Sequence, residues 1–311
     1  MGRRFMKREQ VTTLLERYRQ NKRVYDTDKI VFTGVNETVY NISRAFDWNG
    51  KTYILGRVEP LESELSKVAF FQKVTDKEYK FVEGAVLEDL QDPCVTTYNG
   101  ELVVGGTHID VEDGKIVNWN TTFYKGTDIF NLQRFADAPK KMKDARLTAY
   151  KDKILVCTRP QGGVAGCGKI GVITVDSLAD ITPATLEKAV LFEDLFDEKE
   201  WGGANELFVL KNGWIGVLGH IAKMSEGYVR HYYAMTFAFK PETMERTAVK
   251  IIAERADFKA GESKRSDLVD VLFSGGIVRG EDGKATLYTG TSDAEGQYIV
   301  IDDPFKEYES L

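Results

Sequence analysis

The pattern of hydrophobic and polar positions changes once along the chain, near residue 28. Before that point Val11, Leu14, Leu15 and Tyr18 fall at i, i+3, i+4 and i+7. This spacing puts them on one face and predicts a helix over residues 8–20. Beyond it the apolar residues come in β-branched and aromatic runs broken by Gly, Asn and Asp, the texture of short strands. The clearest predicted strands are residues 39–40, 51–55, 102–104, 154–157, 171–175, 214–217, 232–238 and 286–288. A short helix is also expected within residues 177–195, where Ser177, Asp180 and Thr185 precede apolar-periodic stretches.

The strands recur as a phrase. A polar segment leads through an apolar run and a tight turn into a β-branched run that ends on a small or charged residue. Asn41-Ile42-Ser43-Arg44 passes through Asn49-Gly50 to Arg57 and Glu59, and Gln91-Asp92-Pro93-Cys94 through Asn99-Gly100 to His108. Lys143-Asp144-Ala145-Arg146 passes through Lys151-Asp152 to Arg159. Gly203-Ala204-Asn205-Glu206 runs through Asn212-Gly213 to His220, and Phe273-Ser274-Gly275-Gly276 through Asp282-Gly283 to Thr291. Asn-Gly and Asp-Gly favour the positive backbone angles of two-residue hairpin turns. A repeat of about 50 residues holding several short strands is the mark of a propeller. The expected fold is all-β, a five-bladed β-propeller with a short N-terminal helix. The helical segment takes residues 1–27 and a single propeller domain residues 28–311. The helix either docks on the propeller or makes a homo-oligomer contact.

Composition narrows the partners. With 42 basic and 48 acidic residues the chain carries a net charge of -6, which argues against a nucleic-acid partner. No apolar run reaches the roughly 20 residues of a membrane span, and the charged N-terminus lacks the apolar core of a signal peptide. Three cysteines, Cys94, Cys157 and Cys167, match no zinc spacing. A reduced, cytoplasmic protein without a metal is expected. Gly163-Val164-Ala165-Gly166-Cys167-Gly168-Lys169 imitates a phosphate-binding loop, but Ile170 follows where Ser or Thr is needed. The next residues, 170–175, read as a strand rather than a helix, so the segment is expected to be a glycine-rich hairpin.

Same-offset residues of a propeller converge on one channel mouth. On the inner segments these are Asn41, Arg44, Asp92, Asp144, Arg146, Asn205 and Glu206; at the ends of the following strands they are Arg57, Glu59, His108, Asp110, Arg159, His220 and Asp293. Carboxylates bind sugar hydroxyls and can protonate a leaving oxygen. Arginines bind phosphate or carboxylate through paired N–H groups. Each residue also has a plainer reading: Asp92 before Pro93 as a turn residue, Asp144 as a partner of backbone amides, Arg57 with Glu59 as an ion pair.

These phrases resemble those of the five-bladed propeller glycosidases and phosphorylases, most closely glycoside hydrolase family 130, the mannoside phosphorylases and mannosidases. Asn41 with Gly56-Arg57-Val58-Glu59 is similar to the first-blade phrase of that family, and Glu88-Asp89-Leu90-Gln91-Asp92-Pro93-Cys94 to its Glu-Asp-Pro-Arg box. Lys143-Asp144-Ala145-Arg146 with Thr158-Arg159-Pro160 resembles the third-blade pair. Gly213-Trp214-Ile215 to Gly219-His220, and Tyr288 to Asp293, resemble the fourth- and fifth-blade stretches. The box here reads Gln-Asp-Pro-Cys, and Gly219 stands where the family has Tyr. The resemblance implies a carbohydrate-active enzyme with Asp92 as general acid. It implies phosphate binding by Arg146, Arg159 and His220, and sugar binding by Asn41, Arg57, Glu59, Asp144, Asn205, Glu206 and Asp293. The expected reaction is inverting phosphorolysis of a β-mannoside-like oligosaccharide, with inorganic phosphate as co-substrate and no other cofactor. Hydrolysis by water, and binding of a sugar or sugar phosphate without catalysis, are the alternatives.

Overall fold

The computed structural model, described for residues 8–60, 63–113 and 115–311, arranges its strands as five sheets. In the first blade Thr38–Tyr40 and Phe46–Trp48 both pair with Lys51–Glu59, followed by Lys67–Lys73, Glu78–Glu88 and the parallel edge strand Val31–Thr33. The second blade is Leu90–Tyr98, Glu101–Glu112, Lys115–Gly126 and Gln133–Asp137. The third is Arg146–Tyr150, Lys153–Thr158, Gly171–Val175 and Val190–Leu191. The fourth is Glu200–Val209, Ile215–Met224, Arg230–Phe239 and Lys250–Ala253. The fifth combines Leu272–Arg279, Lys284–Thr291 and Glu295–Asp302 with Val24–Lys29 from the other end of the chain. The fold is the expected five-bladed β-propeller.

That last pairing closes the ring. Val24 lies opposite Ile301 and Lys29 opposite Gln297, so the first strand covers what would be an open edge of the last blade. The strand begins at Val24, ahead of residue 28, where the propeller was expected to begin. It has no apolar face to announce it: Val24, Tyr25 and Asp26 are all exposed.

Alternation along each strand serves two interfaces at once. Ile54 and Phe71 pack towards the fifth blade with Tyr288 and Tyr298, while Leu55 and Phe70 pack towards the second blade with Val95 and Val104. Val103 turns to the third blade, meeting Ile154 and Val156; Leu155 and Cys157 turn to the fourth, meeting Val217 and Phe237. Leu218 faces the fifth blade with Leu287 and Ile299. Successive side chains point to opposite faces of a strand, so a continuous apolar run is what a blade buried on both faces requires.

The N-terminal helix spans Val11–Asn21. Eleven residues are too few to hold a helix alone in water, so docking supplies the stability. Val11, Leu14 and Leu15 are buried, with Tyr18 packed beside them, against Ile170, Phe192 and Ile251. Tyr18 donates to Asp257 at 2.6 Å and Arg19 pairs with Glu254. The helical stretch in the third-blade insertion is Pro183–Leu186, capped by Thr182, whose hydroxyl accepts the N–H of Thr185. The phosphate-loop imitation is a 3₁₀ turn, Gly163–Ala165, followed by the strand Gly171–Val175.

Candidate active site

Along the inner strand, four of the five blades break their regularity. Asn41 sits between Thr38–Tyr40 and Phe46–Trp48, where the first inner strand is interrupted. Register shifts fall between Gln91 and Cys94, between Ala204 and Glu206, and between Ser274 and Gly276. Bulges of this kind re-aim side chains. Asn41, Asp92, Asp144 and Asp293 all have left-handed backbone (φ 44°, 52°, 60° and 50°). Asn and Asp tolerate that region better than other side chains with a Cβ, and such conformations collect at functional sites.

These breaks surround a cavity of about 260 Å³ whose polar lining includes Asn41, Arg57, Asp92, Asp144, Arg159, His220 and Asp293. The lining falls into two arcs of the ring. Blades five, one and two contribute a carboxyl pair. Asn41 Nδ2 donates to Asp92 Oδ1 at 2.8 Å and to Asp293 Oδ1 at 3.2 Å, and Arg57 Nη1 reaches Asp92 Oδ1 at 3.4 Å. Burial and the neighbouring Asp92 charge push the Asp293 carboxyl above its ordinary range, against the pull of Arg57. Asn41 thus bridges two carboxyl groups, of which Asp293 is the one driven towards its protonated form.

Blades three and four contribute cations and a neutral imidazole. Arg159, 2% exposed, donates Nη1 to Asp144 Oδ2 at 3.0 Å and Nε to the Gly202 carbonyl at 2.9 Å. Burial opposes the Asp144 charge, yet Arg159, Lys143 and Arg146 together hold this carboxyl well below its usual range. His220 Nδ1 meets Asn205 Oδ1 at 2.9 Å and its ring stacks on Tyr232, centroids 5.4 Å apart. Burial pushes the imidazole down to about 3 despite Asp144, with Arg159 and Lys143 adding to the fall. It is neutral near pH 7. With Nδ1–H donated to Asn205, Nε2 is left as an acceptor.

Two glycines make room for Arg159. A Cβ on Gly203 would lie 2.8 Å from Arg159 Cδ and 2.9 Å from His220 Cε1; one on Gly168 would lie 2.8 Å from Arg159 Nε. The glycine-rich hairpin that imitates a phosphate loop thus lies directly against the guanidinium.

Several expected residues stand behind the cavity wall. Arg146 donates to the carbonyls of Asn205 and Ala145 and is buried. Asn205 holds His220. Glu206 pairs with Arg44 at 2.5 Å and accepts the N–H of Ile277 at 2.8 Å. Glu59, 1% exposed, is enclosed by Arg57, Lys264 and Tyr40. His108 and Asp110 lie outside the cavity in an adjoining hollow. Their strand, Glu101–Glu112, runs past Gln91, which pairs with Thr107, and so carries them beyond the channel mouth.

Other lining residues went unnoticed in the sequence. Gln91 and Lys143 stood inside the quoted phrases next to Asp92 and Asp144, which was signal enough to find them. Tyr232 and Arg230 come from the third strand of their blade, where no repeat pointed. Glu64 and Arg265 come from connecting segments and meet across the mouth at 3.3 Å. No cluster suited to a metal ion occurs among the described residues.

Among solved structures, the chain is similar to MPT-4, a mannose phosphorylase from Leishmania mexicana determined with a phosphate ion. They share 32% identity and a TM-score of 0.89, covering 96% of this chain and 94% of that one. MPT-1, a GDP-Man-dependent mannosyltransferase from the same organism, shares 31% identity at a TM-score of 0.88, covering 96% of each chain. A curated relative, the 4-O-β-D-mannosyl-D-glucose phosphorylase of Bacteroides fragilis, is 26% identical over 179 residues, 53% of this chain and 44% of its own length. The match spans less than half of that curated relative. The resemblance read from the phrases is therefore met by relatives that are themselves enzymes. Over residues 16–307 the chain matches the family described as Protein of unknown function (DUF1861), and it belongs to that family.

Proposed function

We propose that this protein is a glycoside phosphorylase acting on mannosides, with Asp92 as the general acid. Phosphate sits against Lys143, Arg159 and His220 Nε2. A phosphate oxygen attacks the anomeric carbon while the glycosidic C–O bond breaks, and the Asp92 proton passes to the leaving oxygen. The products are a sugar 1-phosphate of inverted configuration and a shortened acceptor. Asn41 and Arg57 hold Asp92 by its Oδ1, leaving Oδ2 for the substrate.

The observation that carries this reading is that, among the described residues, the cationic arc opposite Asp92 offers no carboxylate suited to activate water. An inverting hydrolase needs a second carboxylate as base. Asp144 is the carboxylate of the cationic arc, and its bond to Arg159 and depressed proton affinity make it a poor base. Glu206 and Glu59 are committed to Arg44, and to Arg57 and Lys264. The Lys143 ammonium, by contrast, has no hydrogen-bond or ion-pair partner among the described residues and lines the cavity, ready for an anion.

A second reading is mannosyl transfer from a nucleotide sugar, favoured by the near-equal similarity to MPT-1. One assay separates them. The purified protein is given mannose 1-phosphate or GDP-mannose with mannose and short mannosides as acceptors, and mannobioses with or without phosphate. Phosphate release from mannose 1-phosphate with chain growth, and phosphate-dependent cleavage, are expected. GDP release alone would establish the transferase, free mannose from mannobiose in phosphate-free buffer a hydrolase, and binding without turnover a sugar-binding propeller.

A further inference from the structure

Beside the catalytic cavity lie two hollows that the mechanism does not use. One, of about 690 Å³, is lined by Leu65, Asp89, His108, Asp110, Asn118 and Lys140 among others. The second, of about 550 Å³, shares His108, Asp110, Asn118 and Lys140 with it and continues to Asn120, Arg134 and Asp137. Three segments pass from the first hollow into the cavity within a few residues: Leu65 neighbours Glu64, Asp89 precedes Gln91, and Lys141 precedes Lys143. The two hollows share their lining, and the first lies next to the cavity along three segments, so together they outline a groove over the second blade.

Its floor is a ladder of linked side chains. His108 Nε2 lies 3.3 Å from Asp110 Oδ1, and Asn118 Nδ2 donates to Asp110 Oδ2 at 2.8 Å and to Asn120 Oδ1 at 3.4 Å. Asn120 Nδ2 reaches Thr122 Oγ1 at 3.3 Å; that hydroxyl donates to Asp137 at 2.7 Å, and Arg134 closes the row at 2.6 Å from Asp137. The ladder is not self-sufficient. Asn118 is 7% exposed and its Oδ1 has no partner. The ammonium groups of Lys140 and Lys141, both exposed, have no hydrogen-bond or ion-pair partner among the described residues.

The chemistry of this lining selects a ligand class. Asp89, Asp110, Glu112, Asp137 and Glu187 outweigh Lys140, Lys141 and Arg134, so the groove does not attract a polyanion. It offers closely spaced donors and acceptors beside the exposed aliphatic side chains of Leu65, Val111 and Val117. Alternating hydroxyls and C–H faces fit that surface. We propose that the groove holds the part of an oligosaccharide that extends from the catalytic cavity, and so makes longer chains the better substrates. This rests on the reading of the cavity as a glycoside site.

The test compares mannobiose with mannotetraose, in β-1,2 and β-1,4 linkage, for the wild-type protein and for Asp110→Ala and Lys140→Ala. Neither residue lines the cavity. Each variant is expected to lose about tenfold in kcat/KM on the tetraose, the worth of a hydrogen bond to a charged group, with the biose unchanged. Equal kcat/KM for both lengths in the wild type, or a tetraose preference that survives both substitutions, overturns the groove. Absence of turnover overturns the proposed function instead, and calorimetry then decides the groove. Tighter binding of tetraose than biose, lost in both variants, supports it; equal binding of the two lengths refutes it.

Discussion

Arg159 and Asp144 form an ion pair, Nη1 to Oδ2 at 3.0 Å, in which both side chains are all but withdrawn from solvent. The pair ties the end of one strand to the loop that opens its neighbour and orients the guanidinium for an anion. Breaking a buried pair leaves the other charge uncompensated, at a cost of about 3–5 kcal/mol. Asp144→Asn is the informative change, because Asn accepts the left-handed backbone at φ 60° and removes only the charge. A fall in urea-unfolding stability of that size is expected, together with a weaker apparent affinity for phosphate.

The same pair predicts acid sensitivity. Because Asp144 has a depressed proton affinity in the fold, its contribution is present above the unfolded value of about 3.9 and is lost as pH falls towards the folded value. His220 acts in the same direction over a higher window. Its folded value is pushed down to about 3, so below about 6.5 the unfolded chain binds a proton that the folded chain refuses. Stability should decline from pH 6.5 downwards, this one group contributing at most ~1.4 kcal/mol per pH unit. In His220→Gln the decline between pH 6.5 and 4 should be shallower, as read by urea titrations at pH 7, 5.5 and 4.5.

Asp92→Asn should lower turnover by about 10²–10⁴, the usual contribution of a general acid. The unfolding transition should stay near that of the wild type, since Asn also tolerates φ 52°. Steady-state rates paired with thermal unfolding check both halves. Full activity in this variant would remove Asp92 from the mechanism.

Lys264 straps the segment that carries Arg265 and Leu268 over the cavity. Its ammonium bonds Glu59, the Ser63 carbonyl at 3.0 Å, Glu64 at 3.1 Å and the Tyr40 hydroxyl at 3.2 Å. Lys264→Met keeps the bulk of the stem and removes these bonds. Faster amide exchange over residues 259–271 is expected, with a KM for sugar raised several-fold and a smaller change in kcat. An unchanged exchange pattern would mean that Leu268 and Val271, both buried, hold the segment unaided.

Much of this was legible in the chain. The i, i+3, i+4, i+7 face of Val11, Leu14, Leu15 and Tyr18 became the docked face of the helix. Apolar runs such as Ile154–Cys157 became strands buried on both sides, because a blade has two neighbours and little free face. The repeated turns set the number of blades. Asn41, Asp92, Asp144, Arg159, His220 and Asp293 shared an offset and came to share one cavity.

The remainder depended on neighbours that no local pattern names. Glu206 looks like a free carboxylate in the sequence, and Glu59 is matched there only with Arg57; Arg44 and Lys264, more than 150 residues away in each case, complete the buried pairs. Val24–Lys29 straddles the boundary expected at residue 28, and only the exposed edge of Glu295–Asp302 makes it a strand. His108 and Asp110 share the offset of the cavity residues, yet the length of their hairpin carries them to the next hollow. Periodicity and turn chemistry are local, so the sequence by itself determined the docked helix, the number of blades and the inner-strand residues that reach the channel. Charge pairing, desolvation and the reach of each strand are set by atoms distant in the chain, so only the tertiary structure decided which of those residues remain free to meet a substrate.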